Sequence, residues 1–340
     1  MMKLKKFEGN PILSPNPASD WESLVTCNPG VIFDKGVFYM LYRAAGNDEG
    51  HVIRFGLATS TDGFHFERQS EQPVFVPSID GPDGGCVEDP RIIKLDDTFY
   101  ITYAYRPYAP GQYWKFEHDV VFKPQSSESA PCVIKENMGN SGLACTRDFK
   151  SFRRLGRLTS SVLDDRDVIL FPEKIKGKYV MMHRPKQYVG NGYGVKYPSI
   201  WLKFSDDLLN WEEQESHLLM TGIDDTWEEK IGGSAPPIKT SKGWLMLYHG
   251  VGHGGLGHYK VGAVLLDLND PLKILARTEE PILEPEYPYE MEGFYNGCVF
   301  PTGNVVVDGN LYVYYGAADK YVGVATCKLE DLLDGLLKKV

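Results

Sequence analysis

The sequence predicts an all-β fold, a five-bladed β-propeller, running as one domain over residues 1–340. Two observations predict it: a hairpin pattern that recurs five times, and the spacing of its copies. Each copy has a small or acidic residue beside a proline or loop, then an apolar strand, a short turn and an aromatic-rich strand. The copies are 28–43 (NPGVIFDKGVFYMLYR), 88–106 (EDPRIIKLDDTFYITYAYR), 167–184 (DVILFPEKIKGKYVMMHR), 233–250 (GSAPPIKTSKGWLMLYHG) and 296–316 (NGCVFPTGNVVVDGNLYVYYG). Their second strands end at Arg43, Arg106, Arg184, His249 and Tyr315, roughly 63 to 78 residues apart. That period is too long for a small solenoid repeat and suits one blade per copy. Repetition also puts polar residues at equivalent blade positions, where they can converge on a central pocket.

The elements follow in order. Residues 1–27 form a lead-in, and PILSPNP reads as turn and edge structure, because proline removes a donor and fixes φ. The hairpins carry turns such as DKG, LDD, KIKG, TSKG and VVDGN. Outer strands are predicted at 53–60, 141–146 and 199–205. A Ser or Thr lies at the end of each, two residues before an Asp whose side chain can cap the turn. Further outer strands are predicted at 259–267 and 321–328. The segment LEDLLDGLL reads as a short terminal helix over about 329–338. Two long irregular stretches, 107–140 and 187–198, interrupt the pattern. Such loops often shape binding sites, and these two are expected to rim the pocket.

Composition narrows the partners. Formal net charge is -10. A nucleic acid partner would need a basic surface, so none is expected. The six cysteines have no tight metal-like pairing and read as buried free thiols of a reducing compartment. No apolar signal core follows the basic N-terminus, and no stretch approaches eighteen apolar residues. A cytoplasmic location is the expectation, with a homo-oligomer as an open alternative. No dinucleotide fingerprint, phosphate-binding P-loop, HExxH or GxSxG elbow is present. GHGGLGH (252–258) has two histidines without a third ligand nearby, so it reads as a glycine-rich loop near the pocket, and no metal is expected.

Three groups of polar residues carry the functional reading. Asp89, in GGCVEDPRI, is flanked by Glu88 and Arg91, and a carboxyl near the axis can act as a general acid. The alternative is a turn-capping Asp89 paired with Arg91. Arg166, Arg184, Lys230 and His249 lie near blade starts or ends in three repeats. Converging, they would hold phosphate or a carboxylate; apart, they would form separate surface ion pairs. Asn28, Arg43, Glu292, Asn296 and Asp319 can bond vicinal hydroxyls, while Tyr295, Tyr315 and Trp227 offer flat faces to a sugar ring or pack in the core.

These segments together resemble glycoside hydrolase family 130, the mannoside phosphorylases and their hydrolytic relatives. The similarity lies in CNPGV (27–31), YRA (42–44), GCVEDPRI (85–92), LFPEKIKGKYVMMHRP (170–185), WEEKIGGSAPPI (227–238), LMLYHG (245–250) and YYGAAD (314–319). The resemblance implies a five-bladed propeller with its site at one end of the axis. It makes Asp89 the catalytic acid and Arg166, Arg184, Lys230 and His249 the phosphate ligands. Asn28 and Asp319 would touch the mannosyl ring, with Arg43, Glu88, Arg91, Trp227, Glu292, Tyr295 and Asn296 as further substrate-binding candidates. It also implies that the acid acts through the mannose 3-hydroxyl.

The implied reaction is inverting phosphorolysis of a terminal β-mannoside, β-1,4- or β-1,2-linked or of mannosyl-glucose type, to α-mannose 1-phosphate. Inorganic phosphate is the co-substrate and no cofactor is expected. An inverting glycosidase needs an acid and a base. Phosphate is already an anionic nucleophile, so one acid and a basic cradle suffice. The competing readings are a β-mannosidase using water and a non-catalytic carbohydrate-binding propeller.

Overall fold

The structure is a computed structural model and describes residues 3–115 and 121–338. Five antiparallel sheets surround one axis as the blades of a propeller. Blade 1 comprises Val25–Asp34, Val37–Ala45, Arg54–Ser60 and Glu67–Arg68, from the axis outward; blade 2 comprises Cys86–Leu95, Thr98–Arg106, Asn140–Thr146 and Arg153–Arg157. Blade 3 has Ile169–Leu170, Tyr179–His183, Ile200–Ser205 and His217–Met220. In blade 4 the inner strand is split, Lys230–Gly233 and Ile238–Thr240 both pairing with Gly243–Val251, followed by Tyr259–Leu266 and Ile274–Arg277. SAPP lies in the break, where prolines cannot donate to the ladder. Blade 5 runs Val299–Val307, Asn310–Ala317 and Tyr321–Lys328.

The fourth strand of blade 5 comes from the other end of the chain. Lys5 and Lys6 pair with Thr326 and Ala325. The lead-in is therefore more than turn and edge structure: it closes the ring, and its Val25–Cys27 already belong to the first inner strand. A two-residue strand has too little pattern to announce itself in sequence. Its anchor is chemical. Lys6 Nζ lies 2.7 Å from Glu290, and both side chains are buried.

The core is laid down between blades. One cluster fills the gap between blades 4 and 5, from Leu245 and Leu247 to Val313 and Tyr315, and takes in Leu332, Leu333 and Leu336 of the terminal helix Leu329–Leu337. Equivalent clusters join blades 3 and 4, 5 and 1, and 2 and 3. Removing this apolar surface from water drives assembly of the ring.

Within blades, one buried arrangement repeats. An aromatic side chain on the second strand meets a carboxylate from the incoming segment, and a cation from elsewhere meets the same carboxylate. Tyr42 donates to Glu22 (2.8 Å), which also takes Arg68 (2.9 Å). Tyr103, Asp83 and Arg154 repeat it in blade 2, Tyr248, Glu228 and Arg277 in blade 4, and Tyr315, Glu290 and Lys6 in blade 5. In blade 3 the aromatic is His183, 2.7 Å from Asp165. The turns after the third strands also behave alike: Asp62 and Asp148 each accept two following backbone N–H groups, with Ser60 and Thr146 beside them.

Of the six cysteines, Cys132 is exposed and Cys327 is half-buried, while the other four are buried thiols. Among the described residues no helix is long and apolar enough to cross a membrane.

Candidate active site

The pocket at the axis begins with two β-bulges. In blade 1 pairing skips from Cys27 to Gly30, and in blade 2 from Glu88 to Arg91. The residues released are Asn28 and Asp89, at φ 44° and 55°. Each precedes a proline, which disfavours the right-handed helical region, and Asn and Asp are the side chains that best tolerate the left-handed one. The same NP and DP signature thus turns an amide and an acid off neighbouring inner strands toward each other. Asn28 Nδ2 donates to Asp89 Oδ1 at 2.8 Å, and Arg43 donates to the same oxygen at 3.1 Å. Asp89 Oδ2 accepts nothing from the described residues.

The pocket encloses about 450 Å³. One end of it is the acid end. Here Asn28, Arg43, Glu88, Asp89 and Asp319 meet Tyr113 and Cys298. Burial alone would push the Glu88 carboxyl up, but Arg43, Arg106 and Arg166 together hold it below its ordinary value. Asp319 is raised, chiefly by burial, with Asp89 and Glu88 adding to the effect against Arg43.

The other end is cationic and is built by blades 3 and 4. Arg166, Arg184, Lys186, Lys230 and His249 line it with Asp167, Tyr259 and Phe300. Each arginine is held through Nε: Arg166 by Asp164 (3.0 Å) and Arg184 by Asp167 (2.6 Å). Arg184 Nη1 is buried without a partner among the described residues. A guanidinium anchored from behind with its fork free is suited to a tetrahedral anion. Among the described residues Lys230 reaches only the Tyr259 hydroxyl, at 3.4 Å. Burial, then Arg184, lowers it to about 8. His249 is lowered to about 3, first by burial, with Arg184, Lys230 and Arg91 opposing its charging. It is a neutral ring at pH 7 and offers an N–H but no charge.

Close backbone approach makes room for these side chains. A Cβ on Gly316 would overlap Asn28 Oδ1, and one on Gly139 would overlap the Arg166 side chain.

Ten of the sequence-derived residues meet in this pocket: Asn28, Arg43, Glu88, Asp89, Arg166, Arg184, Lys230, His249, Tyr295 and Asp319. Five stand elsewhere. Arg91 is buried behind the Asp89 bulge, donating to the carbonyls of Asp89 (3.0 Å) and Ser234 (3.1 Å), so it fixes the bulge from outside the cavity. Trp227 stacks on Tyr248 and donates to the Glu279 carbonyl; it repeats the packing of Trp21 on Tyr42. Asn296 accepts from the Gly293 N–H and ties its own turn. Glu292 lies in a neighbouring depression with Tyr289, Lys320 and Tyr321. Tyr315 is a core residue bonded to Glu290.

The long loops divide as well. Stretch 107–140 reaches the pocket with Pro110, Tyr113 and Val121. Gly111 N–H donates to Gly50 O at 2.9 Å, and Trp114 packs edge-on against His51 and Phe294, strapping this segment across blade 1. Stretch 187–198 does not reach it: Tyr188 and Tyr193 stack on each other and line a separate depression. The glycine-rich loop at 252–258 does lie beside the pocket, Tyr295 donating to the Gly257 carbonyl at 3.1 Å.

Sequence reasoning passed over Arg106, Asp167, Lys186, Tyr113, Tyr259 and Phe300. Asp167 had a signal, since it opens the third repeat copy, 167–184, and holds the arginine that ends it. Arg106 lies two residues beyond Ala104 on the same face, at 3.9 Å from Glu88. Tyr113 sits in an irregular stretch with no repeat phase to mark it.

Comparison with known proteins adds identity to this geometry. A family profile described as beta-1,4-mannooligosaccharide phosphorylase matches residues 3–338. The chain is 38% identical to the 1,2-beta-oligomannan phosphorylase of Thermoanaerobacter sp. (strain X514), covering 98% of this chain and 99% of that one. It is 36% identical to the beta-1,2-mannobiose phosphorylase of the same organism, over 97% and 99% of the two chains. Among solved structures, the beta-1,2-mannobiose phosphorylase from Listeria innocua in complex with beta-1,2-mannobiose superposes with a TM-score of 0.78 at 26% identity, over 98% of this chain and 99% of that one.

Proposed function

This chain belongs to glycoside hydrolase family 130, and we propose that it is a β-1,2-mannoside phosphorylase in which Asp89 is the proton donor and blades 3 and 4 hold the phosphate. The coarser activity is that of the family members it matches: it cleaves β-mannoside linkages with phosphate to give α-mannose 1-phosphate. The β-1,2 linkage is the one named for the two relatives above 35% identity.

One observation carries the assignment of roles: a carboxyl with a free oxygen lies at one end of a single pocket whose other end is a cluster of anchored cations. The mannosyl ring lies between them, its hydroxyls within reach of Asn28, Arg43 and Asp319. Asp89 Oδ2 gives its proton toward the glycosidic oxygen as that bond breaks. Phosphate, held by Arg166, Arg184 and Lys230, forms the new bond to the anomeric carbon from the opposite face, and configuration inverts. The departing electron pair takes the proton, and the pocket needs no base, since the nucleophile arrives as an anion. Three of the other carboxylates are committed: Glu88 to Arg43 (3.3 Å), Asp164 to Arg166, and Asp167 to Arg184. Fixing nucleophile and sugar in one enclosure supplies the proximity term of the rate.

The test is product analysis on β-1,2-mannobiose and β-1,4-mannobiose with and without inorganic phosphate. The expected result is phosphate-dependent release of α-mannose 1-phosphate, faster from the β-1,2 substrate. Free mannose formed at the same rate without phosphate would overturn the phosphorolytic reading, and preference for the β-1,4 substrate would overturn the linkage.

A further inference from the structure

We propose that Lys186 is a phosphate-binding residue of this pocket, the cation that completes the charge match to a dianionic nucleophile. The inference rests on the phosphorolytic reading above and deepens it.

Lys186 follows the second strand of blade 3 by three residues and lines the cationic end of the cavity. It is not a loose surface lysine. Its backbone N–H donates to the Asp164 carbonyl at 2.9 Å, beside the bridge between Asp165 and Pro185. Its ammonium lies 3.1 Å from Asp164 Oδ2, while Asp164 Oδ1 holds Arg166 at 3.0 Å. Asp164 thus sets Lys186 and Arg166 side by side, as Asp167 sets Arg184.

Charge accounting shows what Lys186 adds. His249 is neutral, so it contributes no charge to anion binding. Arg166, Arg184 and Lys230 stand against Asp164 and Asp167, which leaves one net positive charge for a nucleophile carrying two. Adding Lys186 brings the balance to two. The neighbours bear this out: Arg166 first, then burial, then Arg184 lower Lys186 to about 7. Cations crowded in this way are relieved by a shared anion.

A merely structural Lys186, present to neutralise Asp164, predicts a different outcome from a phosphate ligand. The experiment is steady-state kinetics of K186M and K186R with inorganic phosphate varied at saturating β-mannobiose, and the sugar varied at saturating phosphate. The expected result for K186M is a rise of about tenfold in the phosphate KM, in line with loss of one charge-assisted contact from a partly exposed lysine. The sugar KM should stay within about twofold, with kcat falling far less than the phosphate KM rises, and K186R should recover most of the loss. A phosphate KM for K186M within about twofold of the parent protein overturns the proposal, and so does an equal loss in both substrates' KM. If K186M does not fold, K186Q is read in the same way, and the rise in Tm on adding phosphate should be smaller for it than for the parent. A parent protein whose turnover ignores phosphate would overturn the phosphorolytic reading itself, a result separate from any behaviour of the variants.

Discussion

Raising the pH from about 7.5 to about 9 should weaken phosphate binding by about twentyfold to fiftyfold, with protons taken up as phosphate binds. The reasoning starts from the two lysines of the cationic end. Lys230 is lowered to about 8 and Lys186 to about 7. A dianion placed among them favours their charged forms and raises both. Well below pH 7 both lysines are already protonated, so neither takes up a proton when phosphate binds. Above about pH 8 each must regain a proton when phosphate enters, so affinity falls as pH rises. For Lys230 the neutral fraction grows so that the loss across the window is about eightfold. The same arithmetic gives about 24-fold for Lys186, but its side chain is 39% exposed and solvent screens it, so a loss of a few-fold is the sounder figure. Inorganic phosphate is already largely dianionic across this window, so its own ionisation does not mask the trend.

The assay is titration calorimetry of phosphate into the protein, in two buffers of different ionisation enthalpy at each pH. Across the same window proton uptake should climb to between one and two at about pH 9, and K186M should lose one lysine's share. A dissociation constant level within about threefold across the window, or protons released on binding, would refute the reasoning.

The remaining predictions concern the acid, its support and the ring closure. D89N should lower kcat/KM by about 10²–10⁴ while leaving Tm unchanged, and the loss should shrink on an aryl β-mannoside whose leaving group needs no proton; equal losses on both substrates would remove Asp89 from the acid role. G316A should cost at least about tenfold in kcat/KM, because the new methyl displaces Asn28 and with it a donor to Asp89; full activity would show that Asn28 does not position the acid. K6M leaves Glu290 buried without its cation and should destabilise the protein by about 3 kcal/mol in urea unfolding, with folded-state activity intact. A loss below about 1 kcal/mol would show that the N-terminal strand is not fastened by this pair.

Much of the architecture was legible because it repeats. Third strands at Arg54–Ser60, Asn140–Thr146 and Ile200–Ser205 fall where the sequence put them, since each ends in a turn that Asp62, Asp148 or Asp207 caps through local bonds. The pocket was legible wherever it uses a repeat position, as with Asn28 and Asp89 in matched bulges and Arg43, Arg184 and His249 near the ends of second strands. It was illegible where a contact depends on three-dimensional reach. Trp227 looked like a sugar platform because an aromatic beside carboxylates reads alike in a pocket and in a core; only Tyr248 beneath it decides. Asn296 and Glu292 sit near Asp319 in sequence phase but bond to their own turn or face a neighbouring depression. The charge of His249 was equally hidden, because burial is not a property of the letter H.

The two bulges build one side of the pocket. In blades 1 and 2 the same backbone device presents an amide and a carboxyl a hydrogen bond apart, with Arg43 closing the third side. Asp89 Oδ1 is therefore occupied by two donors, and Oδ2 accepts nothing from the described residues. The facing blades do the reverse: Asp164 and Asp167 take up the Nε side of each arginine and turn the remaining donors into the cavity. A hydrolase built on these strands would need a carboxylate on that side to activate water, but the carboxylates there are committed to arginine and lysine. Converting the pocket to hydrolysis thus requires dismantling the ion pairs of blade 3, whose loss would leave buried guanidinium groups without compensation. The cost of that step falls on the fold as well as on the reaction, and the choice of phosphate over water is held in place by the same contacts that hold blade 3 to the axis.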